Sequence, residues 1–159
     1  MNVLIAVDLS EITMDVLTAV RKLPFGGKGK LFLMHVAEPD PAFVGWDAGP
    51  EVVRNQMAGE FHREHQELTR LADELRAAGH DVTALLVQGP TVATLLREAE
   101  QLQADLIVVG SHGRGAAYDL LVGSISSGVI RSAPVPVLVI PSPRAPRPDA
   151  VPEETTAGR

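Results

Sequence analysis

The sequence contains no cysteine. Disulfide bonds, thiolate zinc sites and cysteine nucleophiles are therefore excluded. An excess of basic residues is also missing, because the formal net charge is −6. Non-specific nucleic-acid binding rests on Lys and Arg side chains that neutralise phosphates, so we expect no nucleic-acid partner. This net charge leaves a single bound nucleotide possible, since one local site needs only a few donors.

Long apolar runs are absent from the start of the chain. The first apolar run ends at Asp8 and follows no basic region. It is too short for a secretory signal or a membrane span. We therefore expect a cytoplasmic protein without a membrane partner. A length of 159 residues suits one domain with a full hydrophobic core.

Short apolar segments alternate with helical patterns along the chain. Strands are predicted at residues 3–7, 31–36, 82–87, 106–109 and 136–140, and helices after Ser10 and at about 51–78, 92–102 and 124–131. Ser10 has the residue type of a helix N-cap, and Gly79 is the expected helix stop. Such alternation predicts an α/β fold: one doubly wound parallel five-stranded sheet, order 3-2-1-4-5, with helices on both faces.

Two stretches of the chain are predicted to lack regular structure. Residues 38–50 hold three prolines, two glycines and Trp46, which predicts a loop. Residues 142–159 are rich in proline and charge and cannot bury enough apolar surface to offset their ordering entropy. We therefore expect a folded domain over residues 1–141 and a disordered tail over 142–159.

A glycine-rich segment follows the fourth predicted strand. Gly110, Gly113, Gly123 and Ser124 fit the spacing G-x2-G-x9-G-[S/T]. Glycines let a ligand approach backbone amides closely, and the helix predicted from Ser124 turns its free N–H groups toward an anion. Arg114 could add a charge-assisted contact. The segment therefore predicts a phosphate site, and the alternative is that these glycines serve only tight turns and a helix cap.

Other chemical motifs are missing from the sequence. No P-loop G-x-x-x-x-G-K-[S/T] occurs, and Tyr118 stands where a dinucleotide fingerprint needs its third glycine. His62 and His65 lack the H-E-x-x-H pattern, so we interpret them as a solvated helix face. Without an acid–base constellation the sequence does not indicate catalysis. Asp8, at the end of strand 1, is the expected ribose or magnesium contact, with helix capping as the alternative.

These motifs resemble the universal stress protein family, in its ATP-binding branch, over about residues 1–141. The resemblance rests on the opening strand with Asp8, on Gly89-Pro90, on the fourth strand and on the complete glycine signature. It implies ATP as the ligand, accompanied by a phosphate-held Mg²⁺, and a homodimer paired through residues 135–140. The implied binding residues, from adenosine to phosphates, are Ala6, Asp8, Val36, Val109, Gly110, Gly113, Arg114, Gly123, Ser124 and Ile125.

The sequence departs from the family's usual pattern at Leu9, where glycine is most common, so the turn after Asp8 need not follow that pattern. The resemblance implies a nucleotide-dependent regulatory module in stress response. Two alternatives remain: a slow ATPase or phosphotransferase that uses Mg-ATP, and a dimeric interaction protein that does not respond to nucleotide.

Overall fold

Five apolar segments form one parallel β-sheet in the computed structural model, which describes residues 1–24, 29–38, 50–111 and 123–141, and the side chains of all of these except 50–57. The strands are β1 (Asn2–Val7), β2 (Lys30–Ala37), β3 (Asp81–Gln88), β4 (Leu106–Gly110) and β5 (Val137–Ile140). Their order in the sheet is β3-β2-β1-β4-β5. This order confirms the predicted topology and places β1 beside β4 at its centre.

Four helices connect the strands: α1 (Ile12–Lys22), α2 (Pro50–Ala77), α3 (Thr91–Gln101) and α4 (Ser124–Ser132). The buried side chains of α1 and α2 share one core with one face of the sheet. Those of α3 and α4 share a second core with the opposite face. The sheet is therefore covered on both faces, as a doubly wound fold requires.

The central strand shows why these residues make this sheet. Along β1, Val3, Ile5 and Val7 join the core under α1 and α2, whereas Leu4 joins the core under α3 and α4. Successive side chains of a strand point to opposite faces, so a strand covered on both faces must be apolar throughout. The run that predicted β1 is continuously apolar because both faces of this strand are buried.

The start of α1 corrects one prediction. Glu11, with helical φ −56° and ψ −36°, is the N-cap of α1 and makes no side-chain capping bond. Ser10 is therefore not the cap. Its hydroxyl donates instead to Asp8 Oδ1 at 2.6 Å. Serine side chains often choose such local partners, and here the carboxylate two residues earlier competes successfully with the helix amides.

The end of α2 bears out the expected stop at Gly79. Gly79 has φ +93°, its N–H donates to Arg76 O, and the N–H of His80 donates to Leu75 O. This is the Schellman arrangement, in which glycine takes the left-handed conformation just beyond the helix. At the other end α2 begins on Pro50, the first helical position that proline favours.

Two predicted segments lie largely or wholly outside the described residues. They are the 38–50 loop with Trp46, of which 39–49 are not described, and the tail over 142–159. The boundary between domain and tail therefore stays a prediction. None of the helices within the described ranges carries an apolar stretch long enough to cross a membrane.

Candidate functional site

The carboxyl ends of β1 and β4 lie side by side at the centre of the sheet. Ala6 of β1 is in register with Val109 of β4. From this point α1 leaves over one face and α4 over the other. The connections after β1 and β4 therefore diverge here, and such a switch point is where open parallel sheets have a crevice that admits a ligand.

The exit of β1 is a tight polar turn built on Asp8. Asp8 Oδ1 accepts hydrogen bonds from the backbone N–H of Ser10 at 3.1 Å and from its hydroxyl at 2.6 Å. Between them Leu9 has φ +58°, a left-handed conformation that glycine adopts more readily than leucine. The turn thus uses the backbone conformation that a glycine would favour, although the residue is leucine.

The exit of β4 is joined to the start of α4. The N–H of Gly123 donates to Ser111 O at 2.6 Å, and the N–H of Ser111 donates to Ile140 O at 2.7 Å. The Ser126 hydroxyl donates to Gly110 O at 2.6 Å. These bonds bring the first and last described residues of the glycine-rich segment together at the carboxyl edge of the sheet.

The N-terminus of α4 carries neither an acidic side chain nor a side-chain cap. Gly123 is the N-cap, and the first turn contains no acidic residue. Ser124 is exposed, and Ile125 is 40% exposed. The first amides of a helix point along its axis and lie at the positive end of its dipole. This end of α4 is therefore chemically suited to an anion.

The apolar residues expected near adenosine lie on one face of the sheet. Ala6, Val36 and Val109 all belong to the core under α3 and α4. Val36 is 6% exposed and Val109 is 3% exposed, whereas Ala6 is half-buried. Beside them the N–H of Gly89 donates to Ala37 O at 3.3 Å, which ties the exit of β3 to that of β2.

Gly113 and Arg114 lie outside the described residues, as does His112. Of the ten predicted binding residues, the structure therefore locates eight. It brings Asp8, Gly110, Gly123, Ser124 and Ile125 to the carboxyl edge and sets Ala6, Val36 and Val109 in the adjoining strands. In the described part of the chain, no group of three or more His, Asp or Glu side chains could hold a metal ion.

Two polar residues near the site were not predicted from the sequence. Glu38, just after β2, accepts a hydrogen bond from the N–H of Thr91 at 3.0 Å and another from the Thr91 hydroxyl. His35 is buried, with Nδ1 2.9 Å from Val7 O and Nε2 3.6 Å from Glu64 Oε1. Both contacts join residues far apart in sequence, so no local motif signals them.

Comparison with known proteins gives a family match over most of the chain. Residues 1–141 match the model of the universal stress protein family. A universal stress protein of Thermus aquaticus is 34% identical over 113 residues, which cover 70% of this chain and 77% of that protein. Against a Mycobacterium tuberculosis relative that is 35% identical over 104 residues, the match spans 34% of the relative's length.

Solved structures share the fold. The Methanocaldococcus jannaschii protein MJ0577 superposes with a TM-score of 0.79 at 24% identity, covering 91% of this chain and 97% of that one. An Arabidopsis thaliana member of the same family, solved with AMP bound, has a TM-score of 0.64 at 18% identity and covers 97% of both chains. At these identities the likeness establishes the architecture.

Proposed function

Because the chain belongs to the universal stress protein family, we propose that it is a regulatory module that binds ATP and acts in a stress response. ATP lies across the carboxyl ends of β1 and β4, with its phosphates at the N-terminus of α4. The observation that carries this proposal is the junction at Gly123, where an acid-free helix terminus meets the exit of β4.

The backbone of Gly123 supports a ligand-related reason for glycine at this position. Its φ of −69° and ψ of 166° are values that any residue can adopt. Conformation therefore does not require glycine here. A side chain would, however, project from the helix N-cap, where phosphate oxygens must approach the amides closely.

Each predicted residue has a defined role in this arrangement. Asp8 contacts the ribose, and the apolar residues Ala6, Val36 and Val109 border the adenosine. Gly110 lies with Val109 along the ribose. Gly113, Arg114, Gly123, Ser124 and Ile125 surround the phosphates. Support from a relative comes from the Arabidopsis thaliana structure, in which the same fold carries AMP.

Magnesium, if it accompanies ATP, binds through the phosphates and water. Mg²⁺ commonly keeps several waters and takes only one or two protein carboxylates. The protein's contribution is then to orient the phosphates rather than to coordinate the ion.

We further propose a homodimer formed through residues 135–140. Among the described strands β5 pairs with β4 alone, so its other edge has no strand partner there. Val137, Leu138 and Val139 are only half-buried. A strand edge without a strand partner is a template for pairing with a second strand. Sedimentation of the purified protein would measure the dimer directly.

Calorimetric titration of the purified protein tests nucleotide binding. Protein shown to be folded and free of carried-over nucleotide is titrated with ATP, ADP, AMP and cyclic AMP, with and without Mg²⁺. We expect a dissociation constant of about 1–100 μM for ATP, and weaker binding as phosphates are removed. No binding to any nucleotide would contradict the proposal and favour an interaction protein. Phosphate release above the level of a contaminant control would instead favour the ATPase alternative.

A further inference from the structure

We propose that Ser126 is a positioning residue for phosphate binding: its side chain fixes the α4 amides in the orientation that an anion needs. This inference rests on the proposed function. Ser126 occupies the third helical position of α4 and is 5% exposed. Its hydroxyl donates to Gly110 O, the last carbonyl of β4, at 2.6 Å.

The residue type at this position has a physical reason. Serine is a mediocre helix former because its hydroxyl competes for backbone partners outside the helix. A buried serine in a nine-residue helix therefore needs an interaction that offsets this disadvantage. In α4 the hydroxyl leaves its own helix and bonds to the strand that leads into the site, so the residue joins two elements.

A second bond acts beside it. The N–H of Gly123 donates to Ser111 O, so α4 is attached to the β4 exit at both its N-cap and its third residue. Two attachments restrict rotation of the helix terminus, whereas a single bond would allow the terminus to rotate about it. Donors held in place before the ligand arrives bind more tightly, because less ordering is required on binding.

Removing the Ser126 hydroxyl should weaken only the binding of the phosphates. Adenosine is bordered by β1, β2 and β4, whose positions the sheet fixes. Only the phosphates depend on the amides of α4. A purely structural serine would instead lower stability without changing the preference for ATP over adenosine.

The test compares ATP and adenosine affinities in three variants. Ser126→Ala removes the hydroxyl, Ser126→Thr keeps it, and Ser132→Ala is a matched control at the exposed end of the same helix. We expect Ser126→Ala to lower the affinity for ATP about tenfold, the effect of losing roughly one hydrogen bond. The affinity for adenosine should stay within about twofold of wild type. The Thr variant and the control should stay within about threefold of wild type for ATP. Equal weakening of both ligands, or of neither, would overturn the assignment.

Amide hydrogen exchange without nucleotide separates this inference from the proposed function. In Ser126→Ala we expect the amides of Gly123 and Ser127 to exchange at least about tenfold faster, because their bonds to Ser111 O and Gly123 O loosen. The amide of Thr94 in α3, bonded to Pro90 O, serves as the internal reference. Unchanged exchange at Gly123 and Ser127 would disprove the positioning role even in a protein that binds no ATP.

Discussion

The N-termini of α3 and α4 differ in what neutralises them. Both helices pack on the same face of the sheet and begin at its carboxyl edge. The first amide of α3 bonds to a carboxylate of the chain itself, Glu38. α4 begins on Gly123 and, like α3, has no side-chain cap and no acid in its first turn, so the Glu38 contact is what distinguishes the α3 terminus. The comparison indicates that a fold can satisfy one helix terminus internally while keeping another suited to an external anion.

The glycines before the two helices differ in the same sense. Gly89 has φ +147°, and a Cβ at this position would lie 2.6 Å from the Thr94 hydroxyl oxygen. Both conformation and packing therefore require glycine before α3. Gly123 has a backbone conformation open to any residue. The glycine before α3 thus serves the fold, whereas we assign the one before α4 to the ligand.

Substituting Gly123, the N-cap of α4, should have the largest effect on nucleotide binding. In Gly123→Val the added side chain blocks close approach of phosphate to the α4 amides. We expect ATP affinity to fall at least about a hundredfold, equivalent to losing two or more charge-assisted hydrogen bonds. Calorimetry measures the loss. Gly59→Val is the matched control, because Gly59 lies exposed on α2 with no atom near its absent Cβ. Unchanged ATP affinity in Gly123→Val would mean that the phosphates do not bind at the N-terminus of α4.

A carboxylate placed at α4 should make it resemble α3. Ile125→Glu puts an acid in the first turn of α4, as Glu38 does for α3 from a distance. The negative charge repels phosphate, so we expect ATP to bind about tenfold more weakly or worse. The same charge interacts favourably with the helix dipole and should raise the free energy of unfolding by about 0.3–1 kcal/mol. Ile125→Gln is the neutral control, and a parallel change of affinity in both variants would mean that charge is not the cause.

Removing the internal acid at α3 should give the reverse pattern. Glu38→Ala deprives the Thr91 amide of its acceptor, and loss of a capping interaction costs about 1 kcal/mol. Urea denaturation should show this decrease in stability. ATP affinity should remain within about twofold of wild type, because this terminus is not assigned to the ligand. A tenfold loss of affinity would place Glu38 in the binding site and end the contrast between the two helices.

An exposed ion pair on α2 gives the baseline against which these charge effects can be judged. The Arg70 guanidinium contacts Glu67 through Nη2 at 2.6 Å and Nε at 3.0 Å. The hydrogen bond from Arg70 lowers the pKa of Glu67 below its ordinary value. Both side chains are about half exposed, so screening by solvent limits the contribution. Arg70→Gln should therefore cost less than about 1 kcal/mol at neutral pH.

The sign of the pH dependence of this pair follows from the lowered pKa. A carboxylate with a lowered pKa stabilises the folded state above its ordinary pKa, and the contribution is lost as the pH falls through the lowered value. The stability difference between wild type and Arg70→Gln should thus be complete at neutral pH and vanish in acid. Denaturation at several pH values and salt concentrations measures it, and a difference that grows in acid would contradict this assignment.

The fold was accessible from the sequence because its elements carry local signals. Polar residues bound the apolar runs, and every predicted strand agrees with the structure to within a residue at each end. The cap of α1 was wrong because two partners competed for Ser10, and only the folded turn shows that Asp8 prevails. Glu38 and Ser126 could not be found from sequence, since their partners Thr91 and Gly110 are distant in the chain. The phosphate and adenosine roles themselves stay predictions until nucleotide binding is measured.

The left-handed Leu9 has a consequence for conformational entropy. Leucine costs about 1 kcal/mol more than glycine in this conformation, yet an unfolded chain with leucine has fewer backbone states to lose on folding. The Leu9 side chain also packs against the buried core beneath α1 and α2. The turn that presents Asp8 is consequently held by a side chain that a glycine would lack. A ligand that contacts Asp8 therefore meets a turn whose ordering was completed when the protein folded.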